Sequence, residues 1–417
     1  MSTTSPSLLR TPEGVRALAA AAEVAGGDPL AAASAMRARG VPPDLAAAAL
    51  TQVDLRGRAV AKFGPDAASM FFTRTGLEQA TRAVVADRRA ARLAAAGVRT
   101  LADLGCGLGS DALAAARAGI SVYAVEADPQ TAEMAAANVA AAGLTERVRV
   151  ECADATSVRV EDYDAVFADP ARRRAGRGRV FDPKSYSPPW DFVARLAERV
   201  PRTVLKLAPG IDHHLLPPGA EGEWVSVGGD LVEAAFWCGP LAEVPRRSSL
   251  LTGGTGLIDG TGLTGGTGLI DGAGLTGREG LTGSVLTGTG VQAARVGPIG
   301  RFLYDPDPAV VRAHLVAEFA AGIGGRIADP AIAYVYTDEP ADTPFGRRLE
   351  ITDVLPFSLK RLRTLLRERG VGRLEIRKRG SALEPEQLRR DLRLAGPYGA
   401  SLVLTRVAGA PTVVLCR

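Results

Sequence analysis

The sequence has little of the chemistry that disulfide-bonded, metal-binding and membrane proteins need. Its four cysteines, Cys106, Cys152, Cys238 and Cys416, are scattered along 417 residues and show no C-x-x-C spacing. That argues against a disulfide framework or a zinc site and fits reduced thiols. No apolar run approaches the length of a membrane span, and the first residues lack a secretory pattern. We therefore expect a cytoplasmic protein with no metal and no membrane partner.

An overall excess of charge is also lacking, because the net charge is only +4. The charge is unevenly placed, however. Between Arg347 and Arg393 there are 14 Lys or Arg residues against 7 Asp or Glu residues. A basic C-terminal region favours a nucleic-acid partner. Only 5 of the 50 basic residues are lysine, so a GC-rich genome remains a second explanation for the arginines.

Before residue 100 the pattern is helical. Residues 7–57 are rich in alanine and are broken at Gly26-Gly27 and Pro42-Pro43, which predicts a small helical module with a scaffold role. Thr75-Gly-Leu-Glu78 has the pattern of a capping box and predicts a long helix from Leu77 to Ala96.

A series of apolar strands separated by helical stretches follows, which predicts right-handed crossovers and a parallel sheet. Two further strands, joined by Gly228-Gly229, predict an antiparallel pair that ends this sheet. The predicted strands are 99–104, 121–126, 147–151, 164–169, 202–207, 223–227 and 231–238.

Residues 251–290 are of low complexity. The twelve residues 251–262 recur at 263–274 with one change, and 15 of the 40 residues are glycine. A β-solenoid needs more stacked copies than two, and the backbone entropy of glycine opposes folding. We therefore predict a flexible, expanded loop.

The remaining chain alternates helices and strands. Residues 301–308 are expected to lead into a helix from Pro308 to Phe319, and a strand is expected over 331–336. The last 70 residues predict strand 347–353, helix 358–369, strand 372–378, helix 385–394 and a hairpin of 401–407 with 411–416.

The most informative motif lies between the first strand and its helix. It reads Asp103-Leu-Gly105-Cys-Gly107-Leu-Gly109, and the next strand ends on Glu126, 17 residues after Gly109. Glycines let the backbone approach a ligand closely, and the helix N-terminus behind them offers free N–H groups. A carboxylate at the end of the second strand can accept hydrogen bonds from ribose hydroxyls. The pattern predicts a nucleoside-cofactor site; a tight turn in another doubly wound enzyme is the alternative.

The motif resembles the D/E-x-G-x-G-x-G sequence of class I S-adenosylmethionine (SAM) methyltransferases. The resemblance implies that Asp103, Gly105, Gly107 and Gly109 bind SAM, with Glu126 at the ribose. It also implies that Asp154, which follows the third strand, meets the adenine amino group.

Asp169-Pro170-Ala171-Arg172, at the end of the fourth strand, resembles the (D/N)-P-P-(F/Y/W) loop of methyltransferases that act on amino groups of bases. The resemblance implies that Asp169, Pro170 and Arg172 are catalytic, with Asp169 accepting a hydrogen bond from the amine. The usual aromatic residue is missing. Arg172 could stack on a base or hold phosphate, and Tyr186 or Trp190 could supply a ring or simply pack against the sheet.

The order of elements after residue 345 and the basic strand Arg373–Arg379 resemble the THUMP-like domain of some bacterial methyltransferases; THUMP domains bind RNA. The expected fold is α/β, a Rossmann-like class I methyltransferase sheet with a helical N-terminal module and a C-terminal α+β THUMP-like domain. We expect a helical module at 1–60, a methyltransferase domain at 61–245, a Gly/Thr-rich linker at 246–292, and an α+β region at 293–417 whose THUMP-like part is about 345–417.

The function expected from these resemblances is SAM-dependent N-methylation of a base in RNA, either tRNA or rRNA. Two alternatives stay open: methylation of a protein or small molecule, and a non-catalytic RNA-binding protein with a vestigial SAM pocket.

Overall fold

The computed structural model describes residues 6–172, 186–252 and 282–417. The first four helices of the described part each begin on a proline, a residue whose fixed φ suits the first helical position. Thr11 and Asp28 cap the second and third helices by accepting hydrogen bonds from backbone N–H groups. The four helices are α1 (Pro6–Leu9), α2 (Pro12–Val24), α3 (Pro29–Ala38) and α4 (Pro43–Phe63).

The long helix predicted from Leu77 to Ala96 is wrong, because the chain forms two helices, α5 (Arg74–Gln79) and α6 (Ala83–Ala95). The cap of α5 is Thr73, whose hydroxyl accepts from the Gly76 N–H at 2.9 Å. The ammonium of Lys62, on α4, donates to three carbonyls at the end of α5, at 2.7–3.0 Å. These carbonyls are thereby satisfied without a continuing helix.

The central sheet has nine strands, and a separate small sheet has two. The strands of the central sheet are β1 (Thr100–Leu104), β2 (Ser121–Glu126), β3 (Val148–Cys152), β4 (Ala165–Ala168), β7 (Thr203–Leu207), β8 (Glu221–Val227), β9 (Asp230–Trp237), β10 (Arg246–Thr252) and β11 (Thr282–Gly288); the separate small pair is β5 (Ala171–Arg172) with β6 (Tyr186–Ser187). The order in the central sheet is β11-β10-β8-β9-β7-β4-β1-β2-β3. Its five strands β3, β2, β1, β4 and β7 are parallel, as predicted. The helices between them are α7 (Ser110–Arg117), α8 (Pro129–Ala141), α9 (Trp190–Ala194) and α10 (Leu196–Arg199).

The antiparallel pair β8–β9 forms as predicted but does not end the sheet. Strand β10 pairs parallel with β8, and β11 pairs antiparallel with β10. The predicted linker 246–292 therefore has a sheet strand near each end. The repeat itself falls largely on residues 253–281, outside the described part of the chain.

A second sheet, of seven strands, lies in the C-terminal region. The elements of this region are β12 (Phe302–Pro306), α11 (Pro308–Arg312), α12 (Val316–Gly322), β13 (Arg326–Ile327), β14 (Val335–Thr337), β15 (Gly346–Pro356), α13 (Leu359–Glu368), β16 (Val371–Lys378), α14 (Pro385–Leu392), β17 (Tyr398–Val407) and β18 (Ala410–Cys416). The strand order is β13-β14-β12-β15-β18-β17-β16. Strand β12 was not predicted, and the strand expected at 331–336 is β14. The predicted helix Pro308–Phe319 divides at His314, which has φ +60°.

The nine-stranded sheet has an apolar core on each face. One core joins it to the N-terminal helices and to α6, α7 and α8. The other joins it to α9, α10, α11 and α12 and contains Tyr304 and Phe319 of the C-terminal region. The sheet is thus held between two layers, with the carboxyl ends of its parallel strands on one common edge. Among the described residues no helix is both long enough and apolar enough to cross a membrane.

Candidate functional site

Residues 105–109, which we call the glycine bend, join β1 to α7 at the carboxyl edge of the sheet. Gly105, Gly107 and Gly109 all have positive φ, at +87°, +55° and +84°. Residues with side chains rarely adopt such angles, so the bend requires glycine at these positions. A Cβ on Gly105 would lie 3.3 Å from the carbonyl oxygen of Asp169. The bend is therefore closely packed against the loop that follows β4.

Glu126, the last residue of β2, lies against the glycine bend as the motif predicts. Its carboxylate accepts from the Gly107 N–H at 3.1 Å and from the Asp128 N–H at 2.9 Å. These two bonds fix the carboxylate at the rim of the cavity described below, where it can accept hydrogen bonds from a diol.

Asp154 follows β3 and caps a short turn by accepting from the Thr156 N–H at 2.8 Å. It borders the same cavity as Glu126 and the glycine bend. Five of the six residues predicted to hold the cofactor therefore line one cavity: Asp103, Gly105, Gly107, Glu126 and Asp154. The sixth, Gly109, belongs to the glycine bend but does not line the cavity, and a Cβ there would lie 3.7 Å from the Ala135 side chain.

The cavity, of about 490 Å³, opens at the carboxyl edge of the sheet, and its charged lining is almost entirely acidic. We call it the acidic cavity. Among the described residues one ammonium, that of Lys206, faces it. A site of this charge repels phosphate groups, which argues against a dinucleotide or a nucleoside triphosphate and favours a cationic cofactor. The acidic lining residues are Asp103, Asp111, Glu126, Asp128, Asp154, Asp169 and Glu233.

Asp103 lies at the bottom of this cavity with its side chain fully buried. Neither carboxyl oxygen has a hydrogen-bond partner among the described residues. Burial raises the pKa of Asp103 well above its usual range, and the nearby Asp111 and Asp169 raise it further. Buried polar groups normally have partners, so this carboxyl is a candidate contact for a ligand group.

Asp169 and Pro170 also border the cavity; they follow β4, which lies on the other side of β1 from the strand that ends at Glu126. The Lys206 ammonium, from β7, donates to Asp169 Oδ2 at 2.5 Å. Burial opposes the charge of Lys206, but Asp169 and Glu233 outweigh this effect and raise the Lys206 pKa. The predicted acceptor carboxylate is thus held in place by a buried cation. From the sequence, Lys206 at the end of the fifth predicted strand is either a contact to substrate or to a carboxylate, or a residue that snorkels at the sheet edge; the structure shows a carboxylate contact.

The backbone of Arg172 pairs with Tyr186, but the side chains of both residues lie outside the described part of the structure. The roles predicted for them therefore remain predictions. Trp190 begins α9, where its half-buried ring packs against the core. This agrees with the packing alternative for that residue.

Sequence reasoning missed Arg89, which lies directly behind the acidic cavity. Its guanidinium donates to both oxygens of Glu233 at 3.0–3.1 Å and to Asp111 at 2.9 Å. Only 4 % of its side chain is exposed. The sequence did contain a signal for this ion pair: Arg89 lies on the apolar face of a predicted helix. An arginine buried there requires acidic partners.

The segment Thr73–Thr81, which we call the cavity wall, closes the cavity on the side of the N-terminal helices. Gln52 of α4 exchanges two hydrogen bonds with the Phe72 backbone, at 2.7 and 3.0 Å. Arg56 donates to the Met70 carbonyl at 2.9 Å. The helical module therefore positions part of the site. Among the described residues no cluster of His, Cys, Asp and Glu is arranged to hold a metal ion.

Comparison with known proteins gives three family matches. A methyltransferase domain matches residues 101–172, which contain the glycine bend, Glu126, Asp154 and Asp169. A THUMP domain-like family matches residues 346–417, and a domain of unknown function matches residues 3–59.

The chain is 33% identical over 380 residues to uncharacterized S-adenosylmethionine-dependent methyltransferases of two Mycobacterium tuberculosis strains, CDC 1551 / Oshkosh and H37Rv. The match covers 87% of this chain and 94% of each relative. A shorter match, 36% identical over 107 residues and 24% of each chain, is to the 23S rRNA (uracil(1939)-C(5))-methyltransferase RlmD of Acidithiobacillus ferrooxidans.

Among solved structures, a candidate methyltransferase from Porphyromonas gingivalis W83 has the same fold, with a TM-score of 0.68. The alignment covers 97% of this chain and 98% of the other, at 22% sequence identity. The expected fold class is confirmed.

Proposed function

The chain belongs to the S-adenosylmethionine-dependent methyltransferases, and on this basis we propose that it methylates a nitrogen of a base in RNA. The observation that carries the proposal is the separation of charge in the molecule. The acidic cavity suits a cationic cofactor and an uncharged base, whereas the THUMP-like region has basic side chains without acidic partners. Phosphates of the RNA would then be held away from the cavity that receives the base.

The basic side chains in question lie on α13 and α14. Lys360, Arg361 and Arg367 of α13 form no ion pair among the described residues, and neither does Arg390 of α14. The whole segment 347–393 carries 14 basic against 7 acidic residues. All four are exposed, and exposed cations without acidic partners are what a phosphate backbone requires. The partial match to an rRNA methyltransferase, RlmD, also supports an RNA substrate.

For the cofactor we propose that the six predicted residues act together. Glu126 would accept from the ribose hydroxyls and Asp154 from the adenine amino group, while the glycine bend would allow close approach of the nucleoside. Asp103 would face the cationic end. When bound, SAM supplies an electrophilic methyl group.

For the acceptor we propose that Asp169 orients the amine. Lys206 occupies one carboxylate oxygen, and the other oxygen remains able to accept from an exocyclic N–H. Holding the nucleophile in line with the methyl group is the main task of such a site. Pro170 would shape the loop, and Arg172 would stack on the base or hold phosphate.

The test is methyl transfer from labelled SAM to bulk tRNA and rRNA, followed by mass spectrometry of the nucleosides. Wild type should give an N-methylated base, and Asp169→Ala should abolish this product while SAM binding persists. The triple variant Lys360→Glu, Arg361→Glu, Arg367→Glu should lose salt-sensitive RNA binding and keep SAM binding. Transfer to protein but not to RNA would refute the proposal.

A further inference from the structure

Three aromatic rings stack on one another where the loop after β7 meets the end of α11. The ring of Trp224, on β8, is fully buried, and the His213 ring lies on it at a centroid distance of 4.5 Å. The ring of His314, which follows α11, stacks on His213 in turn at 3.8 Å. We call these three residues the ring stack. His213 is half-buried and His314 is exposed, so the stack leads from the sheet to the surface.

His314 has a backbone conformation that favours glycine, with φ at +60°. Its N–H donates to the Val311 carbonyl at 3.2 Å, and the Leu315 N–H donates to the Val310 carbonyl at 3.0 Å. These two bonds form a helix end at which glycine is the usual residue. A residue with a side chain costs about 1 kcal/mol or more there. The exposed ring therefore occupies a position that backbone stability alone would give to glycine.

Two arginines lie beside the ring stack without acidic partners. Arg246 donates to the Pro245 carbonyl at 3.0 Å, and its Nε is buried with no hydrogen-bond partner in the described chain. Arg312 is exposed, and no acidic residue of the described ranges forms an ion pair with it. The nearby carboxylate of Asp212 pairs with His214 instead, at 2.7 Å. The two guanidinium groups therefore give this surface a positive charge that is available to an anion.

The two imidazoles of the ring stack are mainly uncharged at pH 7. Burial, His314 and Arg246 lower the pKa of His213 to about 4. Burial, Arg246 and Arg312 also lower the pKa of His314 below its usual value. An uncharged flat ring at the surface suits stacking on a nucleobase, and arginines beside it suit the phosphate that the nucleotide carries.

The ring stack lies close to the acidic cavity. Ala208 borders the cavity, and a Cβ on Gly210, two residues later, would lie 3.6 Å from Nη2 of Arg312. Because consecutive Cα atoms are about 3.8 Å apart, this nitrogen lies within about 13 Å of the Ala208 Cα. We propose that His314 stacks on an RNA base that flanks the methylated one, while Arg312 holds a phosphate beside it. This inference rests on the proposed function.

The experiment is steady-state methyl transfer by the full-length protein to bulk tRNA and rRNA, with KM for the RNA measured separately from kcat. His314→Gly removes the ring and relieves the backbone, so the unfolding temperature should change little. KM should increase about tenfold, within the range for the loss of one stacked base, while kcat and SAM affinity stay within about twofold. His314→Phe keeps a ring and should bring KM back to within about threefold of wild type.

Arg312→Gln tests the phosphate contact separately. It should reduce the slope of log affinity against log salt by about one, measured by filter binding of labelled bulk tRNA. His314→Gly should leave this slope unchanged, because stacking releases no counterion. The matched control is Ala408→Gly, which relieves a positive φ of +48° in the turn between β17 and β18 and removes no ring. It should keep the KM and the salt slope of wild type.

The outcomes separate this inference from the proposed function. A wild-type KM in folded His314→Gly, or a KM in His314→Phe as high as in His314→Gly, would overturn the stacking role and leave RNA methylation standing. Methyl transfer by wild type to protein and to no RNA would overturn the proposed function and the inference with it. If His314→Gly does not fold, ultraviolet crosslinking of wild type to bulk tRNA decides: a nucleotide adduct on the tryptic peptide 313–326 supports the proposal, and its absence refutes it.

Discussion

Replacing Arg89 with methionine should destabilise the protein by about 3–5 kcal/mol, the range expected when one partner of a buried ion pair is removed. The Arg89 side chain is 4 % exposed and bonds to Glu233 and Asp111, which are themselves almost entirely buried. Its guanidinium also lies over the Phe167 ring, at 4.7 Å from the centroid. Methionine keeps the apolar stem but leaves two buried carboxyl groups without their shared cation.

The loss of stability caused by Arg89→Met should depend on pH. Burial raises the pKa of Glu233 even in the presence of Arg89, whereas Asp111 has a lowered pKa because Arg89 and Lys206 outweigh its burial. Without Arg89 both carboxyls would favour the protonated form in the folded state. A group whose pKa is higher in the folded than in the unfolded state disfavours folding as pH rises. The difference between wild type and variant should therefore be larger at pH 8 than at pH 5.5.

The assay is urea unfolding, followed by fluorescence and circular dichroism, at both pH values. Addition of Glu233→Gln to Arg89→Met should recover about 1 kcal/mol or more, because it removes one uncompensated charge. A loss below about 1 kcal/mol that does not vary with pH would refute the reasoning, since exposed ion pairs behave in that way.

Three further predictions follow from single side chains. Burial would raise the pKa of Glu223, but two arginines of α6 lower it to about 2 from 4.5. The ionised carboxylate therefore stabilises the folded state above pH 4.5, and this stabilisation is lost as pH falls to about 2. Glu223→Gln should therefore lower the unfolding free energy at pH 7 by about 3 kcal/mol, with the difference disappearing in acid. Glu126→Gln should weaken SAM binding by about tenfold in calorimetry, because the carboxylate that Gly107 orients loses its charge. Lys206→Met should lower the single-turnover rate of methyl transfer by about a hundredfold without weakening SAM binding, because Asp169 loses the contact that orients it.

Motif residues were predictable because they depend on local chain geometry. Gly105, Gly107 and Gly109 require positive φ, and this requirement is visible in the sequence as glycine at the end of a strand. Glu126 lies beside them because parallel neighbours end at the same edge of the sheet. The central strands followed from apolar runs and were placed within one or two residues.

What could not be predicted depends on contacts between distant segments. The break after α5 exists because Lys62, 15 to 18 residues earlier in the chain, supplies hydrogen bonds to its last carbonyls. Strands β10 and β11 lie on either side of the glycine-rich repeat. Because the composition of the repeat dominates this segment, the sequence predicts a linker where both strands lie. The pairing of Arg89 with Glu233 joins residues 144 apart in the sequence. A contact between residues so far apart in the chain leaves no periodic pattern in the sequence.

The helical module should be necessary for cofactor binding, although none of its residues borders the acidic cavity among the described residues. Gln52 is 6 % exposed and holds the Phe72 backbone, directly before the cavity wall. Gln52→Leu keeps the apolar part of the side chain but leaves the buried N–H and C=O of Phe72 unpaired. This should lower the free energy of unfolding by about 1–3 kcal/mol. The wall should then move away from the glycine bend, and SAM affinity should fall about tenfold in calorimetry. Asp54→Asn, on the exposed side of the same helix, is the matched control and should bind SAM like wild type. Unchanged affinity in a Gln52→Leu protein that unfolds at a lower temperature would mean that the module stabilises the fold without shaping the site.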